Sequence, residues 1–287
     1  MKLVRYGPAG AEKPGLIDES GGLRDLSATL DDIHGASLSP DSLARIAALD
    51  PSSLPVVSGQ PRLGPPVGAI GKIIGIGLNY ADHAKEAGMP IPDEPILFAK
   101  QTTALSGADD PVMMPKGAAK VDWEAELAVV IGSVARHVGK DRALGHVAGY
   151  CVANDVSERE FQLKRGGDWQ KGKSCDSFAP LGPWLVTADE IGDPQGLRVW
   201  LELNGEIMQD SSTAEMIFDV AHLISYISEF MTLMPGDVVI TGTPPGVGAG
   251  RKPPRFLGPG DVMTLGVEGL GEQRQEVIAY NKTYPSQ

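Results

Sequence analysis

Residues 121–131 constrain most strongly how this chain can fold, because they place two carboxylates within a run of apolar side chains. In a β-strand, successive side chains point to opposite faces of the sheet. Glu124 and Glu126 would then share one face, while Trp123 and Leu127 would share the face that packs into a core. A surface strand whose polar face meets water is the simpler alternative, and the spacing alone leaves it open.

A second apolar run, residues 147–153, ends in Asn154 and Asp155 and predicts another strand. Binding sites are commonly built at strand ends, so Asp155 is a candidate partner of Glu124 and Glu126. Three like charges in one pocket repel one another unless they are protonated or neutralised by a cation. A hard divalent cation with oxygen ligands, Mg²⁺ or Mn²⁺, is the simplest solution.

Length and charge bound the possible functions. A chain of 287 residues with 42% hydrophobic and 22% charged residues is typical of a globular protein with a sizeable core. Its formal net charge of −12 would repel nucleic-acid phosphates and anionic membranes, so we expect neither as a partner. A protein this acidic needs local cations wherever it binds an anionic substrate.

The two cysteines, Cys151 and Cys175, are too few for a disulfide framework and lack metal-ligand spacing. The first residues contain no continuous apolar segment of the signal-peptide type, and no run approaches the ~20 apolar residues that a membrane span requires. These features predict a cytoplasmic protein.

The sequence predicts two regions. The first 26 residues indicate short strands separated by Gly and Pro turns, and residues 39–49 indicate a short helix with Ser39 as its N-cap. The Pro- and Gly-rich residues 58–66 then mark a boundary. We therefore predict a small N-terminal domain with a linker over residues 1–66 and a larger domain, which contains the candidate site residues, over residues 67–287.

Residues 79–88 predict a short helix that ends at Gly88, with His83 and Glu86 as neighbours on one face. A carboxylate that contacts an imidazole fixes its tautomer and raises its basicity, which makes the pair a candidate general base. A surface ion pair explains the same spacing. Lys100, at the end of the next strand, either faces the pocket or lies at a solvated strand end.

A helical signal follows Asp155. Ser157 and Glu160 have the spacing of a capping box, which predicts the start of a helix at this point. Arg159 and Gln162 lie three residues apart and would share one face of that helix. We expect this face to border the same pocket as Asp155.

Residues 167–174 match the P-loop pattern G-x-x-x-x-G-K-[ST], which suggests nucleotide binding. A P-loop requires a buried strand before it and a long helix after it. Polar residues precede this match, and Pro180 and Pro183 follow it, so we interpret the match as accidental. A nucleotide-binding module remains the rival from another functional class, and a metal-binding scaffold without catalysis is a third reading. Lys173 remains a candidate functional residue.

Residues 235–241 predict a strand that runs into a loop rich in Gly and Pro, where Thr hydroxyls and N–H groups would suit a bound carboxylate. Thr243 lies in this loop. Earlier in the chain, residues 217–230 predict a helix whose apolar spacing favours core packing, and His222 within it is interpreted as structural.

Several spaced segments together resemble the fumarylacetoacetate hydrolase family from about Gly68 onward. In chain order they are residues 74–83 (IGIGLNYADH), Glu124-Ala125-Glu126-Leu127, Asn154-Asp155 with Arg159 and Gln162, Gly172-Lys173-Ser174 with Phe178, and Thr241-Gly242-Thr243-Pro244. The resemblance implies an α+β, mostly β fold, a mixed β-sandwich roll preceded here by the small N-terminal β-rich domain. It also implies a homodimer.

The resemblance implies roles for individual residues. A divalent metal, Mg²⁺ or Mn²⁺, would be held by Glu124, Glu126 and Asp155. The catalytic set would comprise His83, Glu86 and Lys173, and the substrate-binding set would comprise Arg159, Gln162 and Thr243. Members that cleave fumarylacetoacetate itself carry an additional aspartate ligand near Asn79, so its absence argues against that substrate.

Residues 167–184 look most like short bacterial members that act on 2,4-diketo-3-deoxy sugar acids or acylpyruvates. The implied activity is metal-dependent hydrolysis of the C–C bond of a small anionic 2,4-dioxo acid, which gives pyruvate and a second carboxylic acid. Oxaloacetate decarboxylation, ureidoglycolate cleavage by a lyase and hydroxyheptadienedioate isomerisation would use the same kind of site and remain alternatives. Loops at residues 88–95 and 246–256 would shape the pocket around the distal end of the substrate.

Overall fold

The computed structural model describes residues 1–282. Its strands are β1 Lys2–Tyr6, β2 Lys13–Ile17, β3 Leu23–Asp25, β4 Ile73–Gly77, β5 Ile96–Lys100, β6 Leu105–Ser106, β7 Val112–Met113, β8 Val121–Asp122, β9 Ala125–Ile131, β10 Val147–Asn154, β11 Ser157–Glu158, β12 Ala179–Thr187, β13 Arg198–Leu203, β14 Glu206–Ser212, β15 Val238–Ile240, β16 Val262–Val267 and β17 Gly271–Ile278.

The helices are short. They are α1 Pro40–Ala47, α2 Ala81–Ala87, α3 Lys140–Ala143, α4 Arg159–Lys164, α5 Gln170–Lys173, α6 Ala188–Ile191 and α7 Val220–Phe230, with 3₁₀ turns at Gly35–Leu38, Pro51–Ser53, Thr102–Ala104, Leu144–His146, Thr213–Glu215 and Gly248–Gly250. Across residues 1–282, none of the helices combines the length and the apolar character needed to cross a bilayer.

Two sheets form the core. The larger one has the strand order β3-β2-β1-β12-β10-β9-β15-β4-β5, with β6 beside β12, and the smaller one has the order β14-β13-β16-β17-β7. Strands β13 and β16 contact β9, and β16 and β17 contact β10, so the sheets pack face to face. Strand accounts for 32% and helix for 22% of the structure, so the predicted mostly β sandwich roll is confirmed.

Strands β9 and β10 lie in the middle of the larger sheet because both of their faces are apolar. Every residue of β9 is buried, as is every residue of β10 after Val147. The prediction of one continuous strand over residues 121–131 is wrong, because the strand is interrupted at Trp123 and Glu124. Strand β8 pairs with β11 instead of continuing along β10. The interruption leaves Glu124 immediately before β9, where it faces the site described below.

The N-terminal strands extend the larger sheet. Strand β1 pairs antiparallel with β12, with Lys2 opposite Val186. Arg62 joins this region to the rest of the chain through ion pairs with Glu12 at 2.7 Å and Asp110 at 2.6 Å. The boundary at residue 66 stays a prediction.

Two helix starts were predicted with different success. Ser39 caps α1 by accepting a hydrogen bond from the Ser42 N–H at 3.3 Å, as predicted. The prediction of a capping box formed by Ser157 and Glu160 is wrong, because Ser157 and Glu158 form strand β11 and pair with β8. Helix α4 begins after them, and the Glu158 carboxylate accepts from the Phe161 N–H at 2.6 Å. Pairing with a distant strand therefore overrides the local spacing.

Candidate active site

The register of β9 and β10 brings the three predicted carboxylates together. The strands run antiparallel with Ala153 opposite Glu126, and the Asp155 N–H donates to the Glu124 carbonyl at 2.9 Å. One carboxylate oxygen from each of Glu124, Glu126 and Asp155 lies within 4.8 Å of the others, and all three residues are buried. We call these residues the acidic triad.

Glu126 is the member of the acidic triad whose charge is least compensated. The Gly242 N–H donates to its Oε2 at 2.7 Å, but within residues 1–282 it forms no ion pair with a cationic side chain. Burial, and then the charges of Asp155 and Glu124, raise the pKa of Glu126 well above its ordinary value. Three buried carboxylates with one uncompensated charge fit a hard divalent cation such as Mg²⁺ or Mn²⁺.

Two buried lysines bind Asp155, one at each carboxylate oxygen. Lys100 Nζ donates to Asp155 Oδ1 at 2.5 Å and to the Val156 carbonyl at 3.1 Å. Lys173 Nζ donates to Asp155 Oδ2 at 2.5 Å and to Glu124 Oε2 at 2.7 Å. The sequence allows Lys100 either to face the pocket or to lie at a solvated strand end, and the structure places it in the pocket.

The two lysines differ in how well their charges are compensated. Burial lowers the pKa of each ammonium group. At Lys173 the charges of Asp155 and Glu124 outweigh burial, so its pKa is raised. At Lys100 burial prevails over the attraction of Asp155, so its pKa is lowered. Lys173 is therefore the more firmly protonated of the two.

Helix α4 brings Arg159 to the other side of Glu124. Its Nη1 lies 2.7 Å from Glu124 Oε1 and donates to Gln162 Oε1 at 3.2 Å, and its Nε donates to Asp122 Oδ2 at 2.8 Å. Burial raises the pKa of Glu124, but Lys173 and Arg159 outweigh this and hold that pKa at about 2. Arg159 and Gln162 thus border the acidic triad, while their contacts with substrate stay predictions.

Thr243 fixes the loop after β15 to strand β9. Its hydroxyl donates to the Ala125 carbonyl at 2.9 Å and accepts from Gln209 Nε2 at 2.8 Å. The hydrogen bonds of this hydroxyl therefore hold the loop in place beside Glu126. The substrate contact predicted for Thr243 stays a prediction.

Helix α2 carries the predicted histidine–carboxylate pair. His83 Nδ1 lies 3.1 Å from Glu86 Oε2, and the Gly246 N–H donates to Glu86 Oε1 at 3.0 Å and to Oε2 at 3.2 Å. The side chains of His83 and Glu86 are 17% and 26% exposed, respectively. Glu86 therefore both contacts the imidazole and attaches α2 to a neighbouring glycine-rich loop.

Asn79 and Tyr80 connect β4 to α2. The Asn79 side chain bonds the Phe218 N–H, the Phe218 carbonyl and the Thr241 carbonyl at 2.9, 3.1 and 2.7 Å, so backbone groups use its amide. Tyr80 is fully buried, and burial, followed by the charges of Glu126 and Asp82, raises its pKa well above the ordinary value. Among residues 1–282 the Tyr80 hydroxyl has no hydrogen-bond partner.

Asp122 and Tyr80 are site-associated residues that the sequence reasoning missed. Asp122 is fully buried and binds Arg159. The alternation that selected Glu124 and Glu126 also includes Asp122, so a signal for it was present in the sequence. The burial of Tyr80 has no comparable local signal, because it depends on distant segments that cover the ring.

The segment that matches the P-loop pattern does not adopt the P-loop arrangement. Residues 167–174 contain only the four-residue helix α5, and Lys173 at its end binds the carboxylates of Glu124 and Asp155. His222 also has a packing role, because its ring stacks between Phe218 and Tyr226 on the surface of α7.

Comparisons with known proteins found matches over most of the chain. Residues 72–278 match the family model described as fumarylacetoacetate (FAA) hydrolase C-terminal. A provisionally named hydrolase from Burkholderia lata is 59% identical over 276 residues, which cover 96% of this chain and 98% of that protein.

Two solved structures match almost the whole chain. A fumarylacetoacetate hydrolase from Exiguobacterium antarcticum is 35% identical with a TM-score of 0.85. A 2-hydroxyhepta-2,4-diene-1,7-dioate isomerase from Mycobacterium marinum is 30% identical with a TM-score of 0.75. Each match covers 98% of this chain and 100% of the other chain.

Proposed function

The chain belongs to the fumarylacetoacetate hydrolase family, and from this premise we propose that it hydrolyses the C–C bond of a 2,4-dioxo acid. At the coarser level it is an enzyme of the hydrolase or isomerase type found in this family. The products would be pyruvate and a second carboxylic acid. The observation that carries the proposal is the acidic triad, with Glu126 uncompensated and Lys173 bound to its other two members.

The charges around the acidic triad favour an anionic substrate once a divalent cation is bound. Four carboxylates face three cationic side chains, so the formal charge of the site without a metal is −1: Asp122, Glu124, Glu126 and Asp155 against Lys100, Lys173 and Arg159. A divalent cation would reverse the sign. This local reversal is needed because the whole chain carries a net charge of −12.

Glu124, Glu126 and Asp155 are the residues that would hold the cation. When bound, Mg²⁺ or Mn²⁺ would supply Lewis-acid stabilisation of negative charge on substrate oxygens. Lys100 and Lys173 hold the two oxygens of Asp155 in place, which orients that carboxylate before any cation binds.

His83 is the proposed general base. The Glu86 carboxylate fixes Nδ1 as the protonated nitrogen, so Nε2 is free to accept a proton from water. The resulting hydroxide attacks the C4 carbonyl of the dioxo acid. The C3–C4 bond then breaks, and its electron pair passes into the enolate of pyruvate. The proton that His83 took from water is then delivered to C3, which completes pyruvate and regenerates the base, while the C4 fragment leaves as the second carboxylic acid.

Lys173 is the proposed donor to the developing enolate oxygen. An ammonium group has three N–H bonds, and the contacts with Glu124 and Asp155 use two of them. The third remains to donate to an oxyanion. Because the raised pKa of Lys173 keeps the group protonated, the donor is in place before charge develops on the substrate.

Isomerisation is the second candidate activity, because a 2-hydroxyhepta-2,4-diene-1,7-dioate isomerase is among the similar structures. An isomerase would need the same enolate stabilisation but would consume no water. A test of three substrates separates the candidates: acetopyruvate, oxaloacetate and 2-hydroxyhepta-2,4-diene-1,7-dioate. We expect equimolar pyruvate and acetate from acetopyruvate, with slower release of CO₂ from oxaloacetate. Efficient isomerisation without acetopyruvate cleavage would contradict the proposal.

We also propose a cytoplasmic homodimer with a domain boundary at residue 66. Both cysteines are unpaired, which suits the reducing environment of the cytoplasm. An exposed apolar surface at the end of α7 suits a subunit contact, and it is formed by Phe230, Met231 and Met234. The family match begins at residue 72, close to the proposed boundary. Light scattering on the purified chain tests the dimer.

A further inference from the structure

Asp122 lies between the acidic triad and the glycine-rich loop, residues 246–250, that holds Glu86. Its Oδ1 accepts from the N–H groups of Trp123 at 2.9 Å and Gly248 at 2.7 Å. Its Oδ2 accepts from the Ala249 N–H at 3.0 Å and from Arg159 Nε at 2.8 Å. Both oxygens of this fully buried carboxylate are therefore engaged, and Oδ2 also lies 2.8 Å from Arg159 Nη2.

The loop at residues 246–250 is packed directly against this carboxylate. A Cβ atom added to Gly248 would lie 2.7 Å from Asp122 Oδ1 and 1.9 Å from the Arg255 carbonyl, so only glycine allows this approach. Both backbone polar groups of Gly246 are hydrogen-bonded. Its carbonyl accepts from Trp123 Nε1 at 3.1 Å, and its N–H donates to Glu86.

A series of hydrogen bonds, joined by the backbone of the loop at residues 246–250, thus runs from a triad carboxylate to the imidazole. Glu124 binds Arg159, and Arg159 binds Asp122. Asp122 fixes the loop at residues 246–250, and the loop binds Glu86, which contacts His83. Asp122 is the residue in this series that touches both the arginine and the loop.

We propose that Asp122 is a positioning residue that sets the place of the His83–Glu86 pair relative to the acidic triad. Its carboxylate fixes the Arg159 guanidinium beside Glu124 and the loop beside Glu86 as one unit. The proposal rests on the proposed function in that it takes His83 as the general base. If Asp122 had only a structural role, its substitution would weaken the whole fold. The amide-exchange protection of α2 would then fall no more than that of other surface helices.

The variant Asp122→Asn tests this role. An asparagine keeps one oxygen for Trp123 and Gly248 but turns an N–H group toward Ala249 and Arg159, which are themselves donors. We expect amide hydrogen exchange to accelerate in residues 246–250 and in α2, with protection of β9 and β10 unchanged. We also expect kcat on acetopyruvate to fall about tenfold to a hundredfold, because the base is displaced, while the Kd for Mn²⁺ changes less than about tenfold.

Asp110→Asn is the matched control. Asp110 also accepts from a loop N–H, that of Gly107 at 2.6 Å, and from an arginine, Arg62, at 2.7 and 2.6 Å, but these partners do not bond the acidic triad, α2 or the loop at residues 246–250. It should leave the exchange of α2 and the value of kcat unchanged. Equal effects of the two substitutions on α2 would overturn the proposal.

Trp123→Phe provides a second variant in case Asp122→Asn does not fold. It removes the N–H that binds the Gly246 carbonyl, together with part of the buried ring, but leaves Asp122 and Arg159 in place, and we expect the same pattern of exchange with a smaller loss of kcat. Unchanged α2 exchange in the folded variants would overturn the positioning role. Because hydrogen exchange needs no turnover, this result is independent of whether wild-type protein cleaves acetopyruvate.

Discussion

The acidic triad and the His83–Glu86 pair differ in what holds them. The triad is formed by the register of two central strands, and the side chains of Glu124 and Asp155 are 9% and 0% exposed. The His83–Glu86 pair lies on the seven-residue helix α2, is partly exposed, and depends on one glycine N–H of a neighbouring loop. The sheet therefore builds the charged centre, whereas loop contacts place the base, so the two should be separable by mutation.

Glu126→Gln should have the largest effect, because it removes the triad carboxylate that forms no ion pair with a cationic side chain within residues 1–282. We expect kcat/KM on acetopyruvate to fall by at least about 10⁴-fold, since the cation would be lost. In chelated protein the same substitution should raise Tm by about 2–4 °C, because a buried like-charge repulsion disappears. Differential scanning calorimetry with EDTA checks the second result. Glu276→Gln on β17, which is exposed, should change neither value; a lower Tm for Glu126→Gln would contradict this account.

His83→Ala should separate the two regions most clearly. Removing the base should lower kcat by about 10²–10⁴-fold while the Kd for Mn²⁺ stays within about threefold of wild type. Steady-state kinetics and a metal titration on the same preparation measure both values. Full activity in this variant would show that another group takes the proton from water.

Lys100→Met should have an intermediate effect on metal affinity, because Lys100 supports the acidic triad and not the His83–Glu86 pair. The substitution removes the donor to Asp155 Oδ1 but retains an unbranched side chain of similar length. We expect metal affinity to fall about tenfold to a hundredfold, as is usual when a ligand loses its orienting partner. Exchange of α2 should remain as in wild type. A metal affinity equal to that of wild type would mean that Lys173 alone orients Asp155.

Asp261→Asn should have the smallest effect, a loss of stability near neutral pH that diminishes as the pH falls. Burial raises the pKa of Asp261, but bonds from Asn204, Gly258 and Arg255 outweigh this and lower it below 3.8. A carboxyl with a lowered folded-state pKa stabilises the fold above its unfolded pKa and loses that contribution as pH falls through the folded value. The wild-type advantage over Asp261→Asn, within about 1 kcal/mol, should therefore shrink between about pH 6 and about pH 3 in urea unfolding. An advantage that grows on acidification would contradict the assignment.

The contrast between the two regions also explains which parts of the site could be predicted from sequence. Glu124, Glu126 and Asp155 were identified as a cluster because strand alternation and strand ends are local patterns. The same alternation reaches Asp122, but the role of that residue depends on Arg159 and on a loop more than a hundred residues away. Local spacing carries no information about such contacts.

Long-range pairing likewise decided the features that were predicted wrongly. The expected capping box at Ser157 gave way to strand β11 because that segment finds β8. The expected continuous strand was interrupted at Trp123 and Glu124 for a related reason, since β8 pairs with β11 and β9 with β10. The overall sandwich was nevertheless predictable, because it follows from the family resemblance.

Calorimetric titration of metal-free protein with Mn²⁺ tests the central claim most directly. The account predicts saturable binding of one ion per chain, and it predicts that this binding is lost in Glu126→Gln and retained in His83→Ala. Absence of saturable binding, or equal binding in wild type and Glu126→Gln, would contradict the claim that Glu124, Glu126 and Asp155 form a metal centre.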